Sequence, residues 1–194
     1  MLLATFASLR WSEAIALRRC HVDLRACTVR VRASFVERSN GQLLLGPPKS
    51  KAGMRVVGFP KVIKPLLQEH LSRFAGPAPG ALVFSGAKGG PLRRGNFNKL
   101  SGWPYAARAI GADGLHFHDL RHPGNAFAAA SGAGLRDLMA RMGHDSERAA
   151  IIYQHAARGT DQAIAEAMDA HVEAQQTDDE RGDDGASGVP MPAG

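Results

Sequence analysis

The stretch that decides the fold reads His116-Phe117-His118-Asp119-Leu120-Arg121-His122. Residues 116–155 hold five of the eight histidines in the chain and one of its two tyrosines, Tyr153. Imidazole, guanidinium and phenol groups close together suit a phosphate diester better than a peptide or a sugar, because a guanidinium holds phosphate oxygens through two parallel hydrogen bonds. The sequence therefore indicates a phosphate-binding centre in this region, with the rest of the chain as its support.

The pattern around this centre is helical. From residue 94 onward it consists of short helical pieces separated by glycines, at Gly102, Gly111–Gly114, Gly132–Gly134 and Gly143. A helix beginning near His118 would point His118 and Arg121 the same way, because residues three apart are neighbours on a helix face. A last amphipathic helix is predicted over Thr160–Gln175.

The N-terminal part combines short helices with strands. Residues 1–9 and Ser12–Leu17 are helical in pattern, with Glu13 as an acid in the first turn. Three segments have the pattern of strands: Cys27–Arg32, Leu43–Leu45 and Arg55–Phe59. We expect them to form a small antiparallel sheet with a basic hairpin.

A further helix is predicted over Val62–Phe74, where Pro65 is tolerated because it falls in the first turn. Leu82–Phe84 and the glycine-rich residues after it predict a strand and a turn. The fold class that follows is α+β: a mostly helical domain with a small antiparallel sheet or hairpin near its N-terminal third.

The charge of the chain is unevenly distributed. Residues 177–194 carry five carboxylates and one arginine, a net charge of −4. The net charge of the whole chain is +6, so residues 1–176 have a net charge of +10. A strongly basic body points to a polyanionic partner, nucleic acid first, with a solubilising basic surface as the alternative. At 194 residues we expect one domain, residues 1–175, followed by a disordered acidic tail, residues 176–194.

Nothing in the sequence predicts a membrane span or a secretory signal. No run of 18 apolar residues occurs, and the N-terminus has no basic region before its apolar residues. The two cysteines, Cys20 and Cys27, do not make a disulfide framework, so we expect reduced thiols in a cytoplasmic protein.

Three groups of residues resemble the signature boxes of tyrosine recombinases, the phage-type integrases. The first is Phe6-Ala7-Ser8-Leu9-Arg10-Trp11-Ser12-Glu13. The second is Pro48-Lys49-Ser50-Lys51-Ala52-Gly53-Met54-Arg55-Val56-Val57, which resembles the lysine hairpin of the family. The third combines His118-Asp119-Leu120-Arg121-His122, Met142-Gly143-His144 and Tyr153-Gln154-His155. All three occur in order, and the resemblance covers about residues 4–170.

The resemblance implies a catalytic domain that cleaves and rejoins DNA strands at specific sites. Arg10 and Arg121 would hold the scissile phosphate, and Lys49 would protonate the departing 5′ oxygen. His118 and His144 would hydrogen-bond phosphate oxygens or relay a proton. Tyr153 would attack and form a 3′-phosphotyrosine link. Neither a metal nor another cofactor is implied, because the cations are side chains.

The resemblance also implies partners. Double-stranded DNA would be bound by a homo-tetramer, and the Thr160–Gln175 helix either contacts a neighbouring subunit or packs on its own core. Family members usually carry an N-terminal DNA-binding domain before the first box, and this chain begins almost at the box. We therefore expect that domain to be absent or supplied by a separate protein.

Several residues have a simpler interpretation. Arg10 and Glu13 could form an ordinary surface pair three residues apart, and Lys51 competes with Lys49. Tyr105 competes with Tyr153 as the nucleophile but lacks cationic neighbours in its pattern.

Two motifs would suit another class of enzyme. His118 and His122 could bind zinc, although the residues between them provide no glutamate base. Residues 85–88 match the S-x-x-K motif of acyl-transfer enzymes but lie in a glycine-rich turn. A metal- or serine-dependent hydrolase is therefore a remote alternative.

Two positions depart from the pattern of the family. Ser8 stands where glycine is common, and Pro123 stands where a hydroxylic residue is usual. If the helix starts at Asp119, Pro123 is about its fifth residue and would kink it at a cost of up to ~3 kcal/mol. A truncated DNA-binding remnant without catalytic activity is therefore the main alternative function.

Overall fold

The computed structural model describes residues 1–143, all within one unit of the chain, Met1–Ala156. Within these residues the fold is α+β and mostly helical, as predicted. The helices are α1 (Leu2–Phe6), α2 (Trp11–Ala14), α3 (Lys64–Arg73), α4 (Arg94–Ser101), α5 (Trp103–Ala109), α6 (Arg121–Ala130) and α7 (Leu135–Met142). The strands are β1 (Val22–Asp23), β2 (Thr28–Val31), β3 (Ser34–Glu37), β4 (Leu43–Gly46) and β5 (Arg55–Gly58).

The main sheet is antiparallel, with the strand order β1-β2-β5. Val29 of β2 lies opposite Val57 of β5, and both are buried, whereas Arg30 between Val29 and Val31 is exposed. This is the alternation expected of a strand with one face on the core. The arginines of this segment, Arg30 and Arg32, lie on its exposed face.

The strand prediction for Leu43–Leu45 is correct, but its expected place in the main sheet is wrong. β4 pairs with β3 in a separate antiparallel hairpin, in which Phe35 lies opposite Leu45. The predicted strand at Leu82–Phe84 is also wrong, because this segment makes only an isolated bridge between Leu82 and Arg18.

The core lies between the inner face of the main sheet and the helices of the N-terminal half. It consists of buried apolar side chains: Leu3, Ala7, Leu9, Ala14, Leu17, Cys27, Val29, Val31, Val57, Phe59, Ile63, Leu67, Leu71 and Val83. The predicted first-turn position of Pro65 in α3 is confirmed. No helix within residues 1–143 is long and apolar enough to cross a membrane.

The helix start at Asp119, on which the expected kink at Pro123 depended, is wrong. Residues Phe117–Leu120 form a 3₁₀ turn, and the α-helical part, α6, begins only at Arg121. Pro123 is therefore the third residue of α6. The first amide groups of a helix have no partner within it, so proline in the first turn forfeits no helical hydrogen bond. Pro123 is therefore compatible with a regular first turn of α6.

Helices α1 and α6 pack unusually close together. A Cβ atom on Gly124 would lie 1.7 Å from the carbonyl oxygen of Thr5, so only glycine fits at this crossing. Next to it, the buried hydroxyl of Ser8 donates a 2.6 Å hydrogen bond to Oδ1 of Asn125. Ser8 has a φ of 50°, a conformation that favours glycine. The contact with Asn125 explains how serine is held there, two residues before the first candidate arginine, Arg10.

We expect Gly124→Ala to destabilise the protein by about 3 kcal/mol, because the added methyl group overpacks the α1–α6 crossing. Gly95→Ala is the matched control: it also lies in a helix, α4, but its Cβ would meet nothing within 4 Å. That change should leave stability equal or raise it by up to ~1 kcal/mol. Urea unfolding of both variants measures the difference, and equal stabilities would contradict the close packing.

Candidate active site

An aromatic contact fixes the first candidate arginine against the 116–122 stretch. Trp11, directly after Arg10, packs edge-on against Phe117, directly before His118, with ring centroids 5.0 Å apart. Phe97 of α4 packs on both rings, at 5.3 Å from Trp11 and 5.6 Å from Phe117. Segments more than 100 residues apart in sequence therefore meet through their apolar neighbours, which brings Arg10 and His118 to one side of the fold.

Glu13 is the buried carboxylate of the site. Its side chain is 2% exposed, and each of its oxygens accepts two hydrogen bonds. Oε1 accepts from Nη1 of Arg10 and from Nη1 of Arg55, each at 3.0 Å. Oε2 accepts from the backbone N–H of Arg10 at 2.8 Å and from Nη2 of Arg55 at 3.0 Å. The carboxylate thus has about as many donors as it can accommodate.

The pKa of Glu13 lies below its ordinary value. Burial alone would raise the pKa of this carboxyl, but the hydrogen bonds and charges of Arg55 and Arg10 outweigh that effect. Glu13 is therefore ionised. Because the Glu13 side chain is buried, the interpretation of Arg10 and Glu13 as an ordinary surface pair is wrong, although the pair itself is present.

The C-terminus of α7 is the second feature on which the site is built. Three consecutive carbonyl oxygens there each accept a hydrogen bond from a different arginine. Arg55 Nε donates to the carbonyl of residue 141 at 2.8 Å, Arg121 Nη2 to residue 142 at 2.9 Å, and Arg10 Nη2 to residue 143 at 3.0 Å. The last carbonyls of a helix lack partners within it and carry partial negative charge, which suits cations.

Gly143 ends α7 in the left-handed conformation, with φ 63°. A side chain at this position would meet Nη1 of Arg55 at 2.8 Å and the carbonyl oxygen of Ala52 at 3.1 Å. Glycine is therefore required twice, by the turn itself and by the arginine packed against it. The predicted break of the helix at Gly143 is confirmed.

His118 lies in the positive field of these arginines. Partial burial lowers the pKa of His118 below its ordinary value, and the charges of Arg121, His122 and Arg10 lower it further, against the opposite effect of Asp119. At neutral pH the imidazole is therefore uncharged, with one nitrogen able to donate and the other able to accept a hydrogen bond. The structure thus brings together Arg10, His118 and Arg121.

Both candidate lysines lie in the loop between β4 and β5, and both are exposed. Pro48 and Gly53 pack against each other within this loop: a Cβ atom on Gly53 would lie 2.5 Å from the Cβ of Pro48. The carbonyl of Gly53 accepts a hydrogen bond from Arg55 Nη1 at 3.0 Å. The loop that carries Lys49 and Lys51 is therefore held against Arg55, and its Ala52 carbonyl lies next to Gly143.

The other predictions for this region divide into two groups. Some predictions fall outside the described residues: those for His144, Tyr153, His155 and the helix over Thr160–Gln175.

Within residues 1–143, no group of three histidine, cysteine, aspartate or glutamate side chains is placed to hold a metal ion. The rings of His118 and His122 lie 6.2 Å apart and nearly perpendicular. Tyr105, the competitor of Tyr153, is 81% exposed on α5.

Sequence reasoning missed Arg55. Its signal was present, because residues 55, 57 and 59 alternate onto one face of a strand, and Val57 and Phe59 identify that face as the core side. An arginine on a core face requires a buried partner. Glu13 was noted only as a helix-start acid and as a possible surface partner of Arg10, so its pairing with Arg55 was not predicted.

Comparisons with known proteins give one consistent result. The model of the phage integrase family matches residues 1–159. The chain is 37% identical over 177 residues to the putative prophage phiRv2 integrase of Mycobacterium tuberculosis, covering 91% of this chain and 47% of that protein. It is 34% identical over 169 residues to the integrase of Mycobacterium phage L5, covering 86% and 45%. The chain thus spans about half the length of these relatives.

Solved structures show the same fold at low sequence identity. The Tn1549 transposon integrase, in complex with circular intermediate DNA, superposes with a TM-score of 0.64 at 18% identity, covering 78% of this chain and 53% of that one. The XerA recombinase superposes with a TM-score of 0.61 at 18% identity, covering 88% and 54%.

We expect Glu13→Gln to change both stability and its pH dependence. A carboxylate with a lowered pKa adds stability above its unfolded pKa, about 4.5, and this stability is lost as the pH falls through the lower folded value. The variant should lose this part of the acid sensitivity. At about pH 7 it should be less stable by about 3 kcal/mol, because Arg55 stays buried without its counter-charge.

Urea unfolding between about pH 3 and pH 7 measures both effects. Glu69→Gln is the control, because Glu69 pairs with Arg73 on the surface, and its loss should cost less than about 0.5 kcal/mol. An unchanged acid sensitivity in Glu13→Gln would contradict the account of the buried carboxylate.

Proposed function

The chain belongs to the phage integrase family, and we propose that it cleaves and rejoins DNA at specific sites through a 3′-phosphotyrosine intermediate. The observation that carries this proposal is the convergence of Arg10, His118 and Arg121 at the C-terminus of α7. Two guanidinium groups and a neutral imidazole in one place suit the oxygens of a phosphate diester. The likeness to an integrase in complex with DNA supports the same partner.

In this proposal Arg10 and Arg121 bind the non-bridging oxygens of the scissile phosphate. Their charges neutralise the negative charge that builds up as the nucleophile approaches. Arg10 is suited to this task because its side chain is 32% exposed while two of its nitrogens are anchored, Nη1 on Glu13 and Nη2 on Gly143. An anchored guanidinium requires little reorganisation when the phosphate binds.

Tyr153 is the proposed nucleophile. Its phenolic oxygen attacks phosphorus, the bond from phosphorus to the 5′ oxygen breaks, and a phosphotyrosine diester replaces the DNA diester. Nearby cations favour the phenolate form of such a tyrosine. Attack by a 5′ hydroxyl on the phosphotyrosine reverses the step, so that rejoining needs no ATP.

The departing 5′ oxygen requires a proton, which we assign to Lys49, with Lys51 of the same loop as the alternative. A lysine ammonium is a suitable general acid because it carries three protons at neutral pH. His118 and His144 complete the proposed site as hydrogen-bond partners of the phosphate oxygens or as proton relays. The lowered pKa of His118 suits the relay, because a neutral imidazole accepts a proton.

A DNA-binding domain without catalytic activity is the alternative function, which the net charge of +10 on residues 1–176 would be enough to support. The first turn of α6 accommodates Pro123, so this residue gives the alternative no support. In either function the partner is double-stranded DNA. We propose assembly as a homo-tetramer on that DNA, with a separate DNA-binding domain or accessory protein where one is needed.

Covalent trapping tests the proposal. We expect the full chain, incubated with a pool of randomised duplexes that carry a nick, to form a protein–DNA adduct that survives denaturation. The nick lets the short cleaved strand diffuse away, so that rejoining fails and the adduct accumulates. Tyr153→Phe should abolish the adduct and change DNA affinity by less than about 3-fold, because it removes one hydroxyl group of many contacts.

Tyr105→Phe is the matched control, because Tyr105 is the other tyrosine of the chain and is exposed on α5. This variant should form the adduct at the rate of the wild-type protein. Salt-sensitive DNA binding without an adduct would favour the alternative function. An adduct lost in Tyr105→Phe but kept in Tyr153→Phe would contradict the assignment of the nucleophile.

A further inference from the structure

Arg55 has no part in the proposed mechanism, yet its guanidinium joins the segment around Arg10, the lysine loop and the end of α7. We propose that Arg55 positions Arg10 for phosphate binding, acting through Glu13, and holds the lysine loop and the end of α7 in register with it. This inference rests on the proposed function for its catalytic consequence. Its structural content, the ordering of one side chain by another, can be measured without catalysis.

Every N–H group of the Arg55 guanidinium has an acceptor. Nε donates to the carbonyl of Arg141, Nη1 to Glu13 and the carbonyl of Gly53, and Nη2 to Glu13 and the carbonyl of Ser8, all between 2.8 and 3.1 Å. A guanidinium has five N–H donors, so none remains for a ligand. The side chain is also only 6% exposed. Arg55 can therefore influence a bound phosphate only through its neighbours.

The route from Arg55 to Arg10 passes through the Glu13 carboxylate. Arg55 binds both carboxylate oxygens, and thereby fixes the plane of that group. The same two oxygens bind the backbone N–H and the Nη1 of Arg10. Both the main chain and the guanidinium of Arg10 are therefore oriented by a carboxylate that Arg55 holds in place.

The other three bonds of Arg55 reach three different segments of the site. The Ser8 carbonyl precedes Arg10, the Gly53 carbonyl belongs to the loop of the candidate lysines, and the Arg141 carbonyl lies just before the Gly143 turn. Together with the two oxygens of Glu13, these acceptors occupy all five N–H groups of one guanidinium. A lysine ammonium at position 55 has three donors and no planar fork, so it can keep the charge but not this geometry.

Arginine side-chain NMR of the 15N-labelled full chain tests the positioning. In the wild-type protein we expect the Nε–H of Arg10 to be rigid, with an order parameter of about 0.85, and in Arg55→Lys we expect a value below about 0.6. Arg93→Lys is the matched control, because Arg93 also binds a carboxylate, Glu37, and a carbonyl, that of Gly41, but both lie on the surface hairpin. The control should leave Arg10 rigid.

The backbone amide spectrum of Arg55→Lys must stay close to that of the wild-type protein for the comparison to hold. If this variant does not fold, Glu13→Asp provides the second measurement, because it keeps the charge but shortens the link between the two arginines. It should loosen Arg10 in the same way. An Arg10 side chain that stays as rigid as in the wild-type protein, in a folded variant of either kind, overturns the inference.

Single-turnover cleavage of a nicked duplex recovered from the trapping pool tests the catalytic consequence. Arg55→Lys should lower the cleavage rate about 100-fold, as expected for a misplaced binding group, with a Kd within about 3-fold of wild type. In a protein that already carries Arg10→Lys, Arg55→Lys should slow cleavage by clearly less than about 100-fold, because the part of its effect that acts through Arg10 is already lost. Multiplied losses in the double variant would show a general structural role and overturn the inference.

The two experiments fail separately. If the wild-type protein forms no adduct, the proposed function fails, while the order parameter of Arg10 still decides whether Arg55 positions it. If the adduct forms but Arg10 stays rigid in Arg55→Lys, the proposed function stands and the positioning role is refuted.

Discussion

The site depends on one interaction: three arginines bind three consecutive carbonyl groups at the end of α7. Arg55, Arg121 and Arg10 donate to residues 141, 142 and 143 in that order. These arginines come from a strand, the start of a helix and a loop, so the end of α7 is the common reference for all of them. A helix C-terminus offers carbonyl groups that have no partner in the helix, in a fixed geometry and with partial negative charge.

This arrangement concentrates positive charge. The positive groups repel one another: burial is the main cause of the lowered pKa of His118, and the charges of Arg121, His122 and Arg10 lower that pKa further. Within the described residues Glu13 is the carboxylate that binds both Arg10 and Arg55. Three arginines against Glu13 and Asp119 leave a net positive site, which a phosphate diester would neutralise. The fold thus maintains unfavourable charge contacts that binding of an anion would relieve.

The sequence predicted the local structure well, because the signals were local. Alternation in β2, proline in the first turn of α3 and glycine at the end of α7 each act within a few residues. The effect of Pro123 was misjudged because a 3₁₀ turn and an α-helix have similar patterns, and only the structure shows that α6 begins at Arg121. The role of Arg55 was missed because its partners lie 42, 47 and 86 residues away.

A crystal structure of the full chain tests the central claim most directly. The account predicts guanidinium nitrogens of Arg55, Arg121 and Arg10 at about 3 Å from the carbonyl oxygens of residues 141, 142 and 143, in that order. An electron-density map in which two or more of these guanidinium groups point away from the end of α7 would contradict it.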